Sequence, residues 1–134
     1  FSVRPVSGKG LGVVATSTIL RGERVLEDKP LVRFGIGAPG LPTLHAEHAD
    51  PFWALADNEE GDHRGKTMPG IMRTNAFPIG EARDEAAVFP LLSRFNHSCT
   101  PNISHCWVPE RGIEVAHAIV DLEPGEELTV SYID

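Results

Sequence analysis

Apolar residues come in short runs broken by glycine, proline and small polar residues, and most runs read as strands. Val13-Val14-Ala15 follows a glycine-rich opening and is punctuated by Thr16-Ser17-Thr18 and Arg21-Gly22. Between Arg24 and Phe34, Val25, Leu26, Leu31, Val32 and Phe34 surround Pro30, which predicts an edge strand, where proline is tolerated. Gly35 to Pro42 and Asn58 to Lys66 read as loops. Asp50-Pro51 predicts a helix start, with Asp as N-cap and Pro at the first helical position. Phe52, Leu55 and Ala56 would then form a short apolar stripe. Gly70 to Phe77 reads as a short element ending at Asn75-Ala76-Phe77, with Asn75 as a candidate C-cap. Gly80 to Ala87 reads as a charged surface loop and Val88 to Arg94 as buried. Ile103–Val108 and Ile113–Val120 predict a hairpin around Pro109-Glu110-Arg111-Gly112, with Glu114 on a polar face. His117, on the Ile113/Val115 face, reads as a half-buried histidine and Trp107 as a packing residue. Leu128 and Val130 alternate with Thr129 and Ser131 after Pro124-Gly125, the pattern of a half-buried strand. The fold class is therefore mainly β with short helices.

Composition narrows this picture. The chain has 134 residues, one domain's length, and is 41% hydrophobic, enough for a real core. Thirteen glycines and eleven prolines favour many turns over long helices. A net charge of -7 argues against coating nucleic acid directly and suits a basic peptide partner. No apolar run approaches the roughly 20 residues of a membrane span, and no signal-peptide pattern is present. The expected setting is intracellular, nuclear or cytoplasmic, with no membrane partner. Two cysteines, Cys99 and Cys106, do not make a disulfide framework and fit a reducing compartment. His45, His48 and His63 lack the partners a metal site needs and read as solvated. The chain begins at Phe1 and stops just after Tyr132, as a segment cut from a longer protein would.

The run with the most chemistry is Arg94-Phe95-Asn96-His97-Ser98-Cys99-Thr100-Pro101-Asn102. Its helix and strand propensities are poor, because Asn and Ser side chains compete for the backbone and Pro removes a donor. It follows the apolar Val88-Phe89-Pro90-Leu91-Leu92, so a polar knot is docked on a core segment. That is either a capped turn or a site. Two further motifs favour the site: Gly125-Glu126-Glu127-Leu128-Thr129-Val130-Ser131-Tyr132 and Gly8-Lys9-Gly10-Leu11-Gly12. Together and in this order the three motifs resemble the SET domain family of protein lysine methyltransferases. Arg73-Thr74-Asn75-Ala76-Phe77 resembles a fourth motif, in the form of fungal SET proteins and of the MYND-containing branch, although no MYND-type cysteine cluster is inserted here. The resemblance is weakest over 35–70. It implies one SET domain over residues 1–134, a β-clip-like fold of several small sheets with a C-terminal pseudoknot.

The resemblance also implies roles. S-adenosylmethionine (SAM) would be cradled by backbone groups of Lys9, Gly10, Leu11 and Gly12. Asn96 would take its amino-acid end and His97 its adenine edge. Asn75 and Phe77 would lie near the cofactor floor and the lysine channel. The substrate would be a protein or peptide lysine, a histone tail among the candidates, in a chromatin setting. At pH 7 a free lysine is neutral only about once in 2,500 molecules, a handicap of roughly 4.6 kcal/mol, so the site must favour the neutral amine. Tyr132, the only tyrosine, is the catalytic candidate and also lines the cofactor and channel. As a phenol it is a weak base at neutral pH, which favours an orienting role. Otherwise it is a core-edge tyrosine with a wet hydroxyl. Glu126 or Glu127 would brace the loops. Cys99 matches a cysteine that joins three others of a post-SET segment around zinc. With that segment outside this chain, zinc is expected only in the full-length protein. Two other readings are a non-catalytic SET module for protein–protein interaction and a zinc module built from His97, Cys99, His105 and Cys106. Crowding in sequence disfavours the latter.

Overall fold

The computed structural model describes residues 1–60 and 65–132. In chain order the elements are β1 (Ser2–Val6), β2 (Gly10–Val14), β3 (Arg24–Asp28), β4 (Val32–Gly35), α1 (Ala46–Trp53), α2 (Met68–Asn75), β5 (Phe77–Ile79), β6 (Glu85–Val88), β7 (Asn96–His97), β8 (Ile103–Val108), β9 (Ile113–Ala118) and β10 (Glu127–Val130). They form three small sheets, ordered β1-β2-β10-β7, β3-β9-β8 and β4-β6-β5. The chain divides into two compact units, Phe1–Asp28 with Arg94–Asp134, and Lys29–Ser93.

In the first unit β1 and β2 make a hairpin, with Ser2 opposite Val14 and Val6 opposite Gly10. Its turn needs φ of 75° at Gly8 and 73° at Gly10, a region that costs glycine nothing. The expected Lys9–Gly12 loop is therefore mostly strand: only Lys9 lies in the turn, because Gly10, Leu11 and Gly12 pair with Val6, Pro5 and Arg4. β10 runs antiparallel to β2 and parallel to β7, with Thr129 opposite Asn96 and Val130 opposite His97. Val13, Leu128 and Val130 are fully buried in this sheet. Burying each such aliphatic side chain stabilises the fold by about 1.5–3 kcal/mol.

The predicted β8–β9 hairpin is present, with Ile103 opposite Ala118 and Val108 opposite Ile113. It ends at Ala118, and Ile119 and Val120 are exposed. β9 also pairs with β3, so it is the central strand, and it is buried on both faces. Glu114 consequently departs from the expected polar face. It is buried, and its Oε1 accepts a bond from His105 Nδ1 at 2.6 Å. A carboxylate left alone at such a position would be costly, and the imidazole offsets that.

The single edge strand expected over Arg24–Phe34 resolves into two strands of different sheets, β3 in the first unit and β4 in the second. Pro30 lacks an N–H and sits in the break between them. The expected Gly80–Ala87 loop is largely strand as well. β6 is the central strand of its sheet, and Ala86 and Ala87 are buried between β4 and β5. α1 begins at Ala46, five residues before the expected start, and Pro51 lies inside it. Ala56 is exposed, so the apolar stripe is reduced to Phe52 and Leu55. These two pack with Leu31, Val32, Ile71, Met72 and Val88.

α2 starts at an N-cap, Thr67, whose hydroxyl accepts from the Gly70 amide at 3.0 Å. Asp57 is buried beside this start. Its carboxylate accepts from the amides of Glu59 and Thr67 at 2.8 and 3.0 Å and packs against Gly70, where no Cβ could stand. His63 lies outside the described residues. Among those described, no helix is long and apolar enough to cross a membrane.

Candidate functional site

The polar cluster gathers where β2, β7 and β10 meet, within the first unit. Asn96 opens β7, and its Nδ2 donates to the Leu11 carbonyl at 3.2 Å and to Glu127 Oε2 at 2.7 Å. The other carboxylate oxygen of Glu127 accepts from Lys9 Nζ at 2.8 Å. This arrangement needs a glycine at position 12. A Cβ there would stand 2.7 Å from Asn96 Nδ2, 2.7 Å from Val6 Cγ2 and 2.8 Å from Glu127 Oε2. Asn102, at the end of the polar run, ties down the last strand. Its amide donates to the Glu127 carbonyl and accepts from the Thr129 amide, both at 2.8 Å, as a peptide of a neighbouring strand would.

The C-terminal segment is bonded to the Asn-His segment at several points. The Ser98 amide donates to the Val130 carbonyl at 3.0 Å. The Tyr132 amide donates to His97 Nδ1 at 2.9 Å, and the Tyr132 hydroxyl donates to the Phe95 carbonyl. The His97 and Tyr132 rings lie 5.2 Å apart at 44°. Because His97 Nδ1 accepts, neutral His97 carries its proton on Nε2, 3.5 Å from Cys99 Sγ. The imidazole thus serves the loop.

Electrostatics separate the two titrating groups. Burial opposes ionisation of Glu127, but the bonds from Lys9 and Asn96 and the Lys9 charge outweigh it and hold the carboxyl below its usual value. Burial raises the Tyr132 phenol above its usual value, and the Glu127 charge adds to this. Tyr132 is therefore a protonated donor at neutral pH. The depressed Glu127 value has a sign that can be tested. Its stabilisation is present above about pH 4.5 and is lost as pH falls through the folded-state value. A Lys9→Met variant should be less stable than the parent by up to about 1 kcal/mol at pH 7, since Lys9 is partly exposed. Chemical denaturation across pH should show the gap closing below about pH 4.

Lys9, Gly10, Leu11, Gly12, Asn96, His97 and Tyr132 are thus brought together, with Cys99 exposed beside His97. Asn75 and Phe77 belong to the second unit. There Asn75 is the last residue of α2 and the C-cap is Ala76, not Asn75 as expected; the Asn75 amide instead donates to the Ala56 and Ile71 carbonyls at 2.7 and 2.8 Å and ties the helix end to the segment after α1. Phe77 is buried beside Phe89, with ring centroids 6.4 Å apart. His105 is engaged with Glu114, and among the described residues no group of three or more His, Cys, Asp or Glu could hold a metal. Sequence reasoning left Glu127 and Glu126 undivided and gave Asn102 no role. Glu127 opens β10 and turns to Asn96, whereas Glu126 lies just before the strand, exposed, and its carboxylate accepts from the Glu123 amide.

The family model of the SET domain matches residues 10–133. The chain belongs to the SET domain family. Over 138 aligned positions covering its full length it is 35% identical to histone-lysine N-methyltransferase set5 of Schizosaccharomyces pombe, and it covers 42% of that protein. Over 49 residues, 36% of the chain, it is 45% identical to N-lysine methyltransferase SMYD2-B of Danio rerio and covers 11% of it. The chain spans less than half the length of the curated relatives it matches. Among solved structures, KRYPTONITE in complex with mCHH DNA, H3(1-15) peptide and SAH (S-adenosylhomocysteine) superposes with a TM-score of 0.59 at 18% identity, over 97% of this chain and 22% of that one. At that identity the likeness supports the SET fold alone, and the several small sheets with two short helices agree with it.

Proposed function

We propose that this SET domain transfers a methyl group from SAM to the side-chain amine of a protein lysine. The observation that carries the reading is the Tyr132 hydroxyl fixed on the Phe95 carbonyl, next to the Gly12–Asn96–Glu127 cluster and in the same unit. The cluster suits the amino-acid end of SAM: the bare Gly12 lets Asn96 and Glu127 close on β2, Asn96 has an acceptor oxygen, and Lys9 brings a cation. On resemblance, backbone groups of Lys9, Gly10, Leu11 and Gly12 cradle the cofactor beside it, and the His97 backbone serves the adenine edge. When bound, SAM supplies an electrophilic methyl group on a sulfonium. The chain's task is to hold a neutral lysine amine in line with that carbon, where positioning is worth several kcal/mol. Tyr132, a donor toward Phe95, offers its oxygen lone pairs to orient the amine, and water takes the lysine proton. Asn75 and Phe77 are assigned to the cofactor floor and lysine channel on resemblance.

The net charge of -7 favours a basic peptide, and the name of the set5 relative favours a histone tail. A protein of this kind acts in the nucleus or cytoplasm, with no nucleic acid or membrane as direct partner. Cys99 would ligate zinc only with three thiolates from a following segment. The test is calorimetric SAM binding to this chain and to a version extended toward the length of the relatives, paired with labelled methyl transfer to histone H3 and H4 peptides. Saturable binding with transfer to lysine is the expected result. A folded protein that binds no SAM in either form would replace this reading with the non-catalytic interaction module.

A further inference from the structure

We infer that Glu127 is a positioning residue: its carboxylate turns the Asn96 amide so that the carbonyl oxygen faces outward, as the acceptor for the α-ammonium of the cofactor. This rests on the methyltransferase reading above. An asparagine amide has one face of two donor hydrogens and one acceptor oxygen. The Leu11 carbonyl and the Glu127 carboxylate both carry lone pairs and no hydrogen, so both must face the NH₂ group. Among the described residues no donor reaches Asn96 Oδ1. The 3.2 Å bond to Leu11 is the longer and weaker of the two, and the 2.7 Å bond to a charged acceptor decides the orientation. Turned over, Asn96 would set its oxygen against a carboxylate oxygen. Lys9 occupies the other oxygen of Glu127, and the bare Cα of Gly12 leaves room for the contact. The orientation is therefore fixed before any ligand arrives. A preset acceptor beside an anionic carboxylate favours a cation over a neutral group at that place.

The probes are SAH and its analogue lacking the α-amino group, titrated calorimetrically into the full chain. The parent should favour SAH by about tenfold or more, the range of a charge-assisted hydrogen bond. Glu127→Ala should bring the two ligands within about twofold, while Glu127→Gln, which keeps an acceptor oxygen for Asn96, should retain most of the preference. Equal weakening of both ligands in Glu127→Ala, with the preference intact, would mean a structural role only and would overturn the inference. A parent that binds SAH without preference also overturns it and leaves the methyltransferase reading standing. A parent that binds neither ligand, both as this chain and in the extended version, ends both. If Glu127→Ala does not fold, NMR of the parent with SAH decides. The Asn96 side-chain amide protons should stay protected and show no contact with the ligand, and a direct contact from them would overturn the assignment.

Discussion

Replacing Tyr132 by Phe should lower methyl transfer by about a hundredfold or more, the scale of losing one preorganised hydrogen-bonding group at a reacting centre, and leave SAM affinity within about threefold. The substitution removes one atom. The ring remains beside His97, and the backbone N–H of residue 132 still donates to His97 Nδ1. What disappears is the hydroxyl held on the Phe95 carbonyl. Burial and the Glu127 charge both disfavour the phenolate, so a tyrosine acting as base would work against its surroundings. An orienting hydroxyl would not. The pH–rate profile distinguishes the two. A basic limb that comes from the substrate amine survives in Tyr132→Phe at a lower rate, whereas one that comes from Tyr132 disappears. Single-turnover transfer and calorimetry on the same preparations give both quantities. Parallel losses in rate and affinity would remove Tyr132 from the catalytic role and make it a wall of the cofactor pocket.

How much of this was legible follows from how local each cause is. The β8–β9 hairpin is a pair of apolar runs around a turn, and its register needs nothing beyond its neighbours. β6 has no such signature: Glu81, Arg83, Asp84 and Glu85 precede two small alanines, the composition of a loop. It is a strand because β4 and β5 flank it on both sides, which no window of its own sequence shows. Asp50-Pro51 imitates a helix start, yet α1 begins at Ala46, after an N-cap, His45, that makes no side-chain cap bond. Burial of Phe52, a tertiary effect, fixes that helix instead. Glu114 looks like a solvent-facing residue until packing buries both faces of β9. In the site, the motifs named the participants, but their partners lie far off in sequence. Lys9 meets Glu127 across 118 positions and Asn96 meets Leu11 across 85. Glu126 and Glu127 differ by one place, yet the second opens β10 while the first lies just before it, bonded to the Glu123 amide. Only the pairing of Glu127 with Val14 settles which of them faces Asn96.

That crowding makes Gly12→Ala the substitution expected to damage the cradle most directly. Gly12 does not have the positive φ of Gly8 or Gly10, so alanine meets no backbone strain there and the whole effect is space. The added Cβ would lie within 2.8 Å of three atoms at once, and none of them is a loose end. Asn96 Nδ2 is held by two bonds, Glu127 by Lys9 and Asn96, and Val6 sits in β1 opposite Gly10. Overpacking of this kind costs about 1–3 kcal/mol. Relief requires the Asn96–Glu127 bond to open, which turns the Asn96 acceptor away from the cofactor, so SAM affinity should fall by about tenfold or more even in molecules that remain folded. Gly112→Ala is the control. At φ 63° in the β8–β9 turn, with nothing within 4 Å of its added Cβ, it bears backbone strain alone, about 1–2 kcal/mol. Denaturant unfolding and calorimetry should therefore separate the pair, with Gly112→Ala losing stability at unchanged SAM affinity and Gly12→Ala losing both. Normal SAM binding by Gly12→Ala would show that the cluster has slack, and the cofactor's amino-acid end would then have to be placed elsewhere.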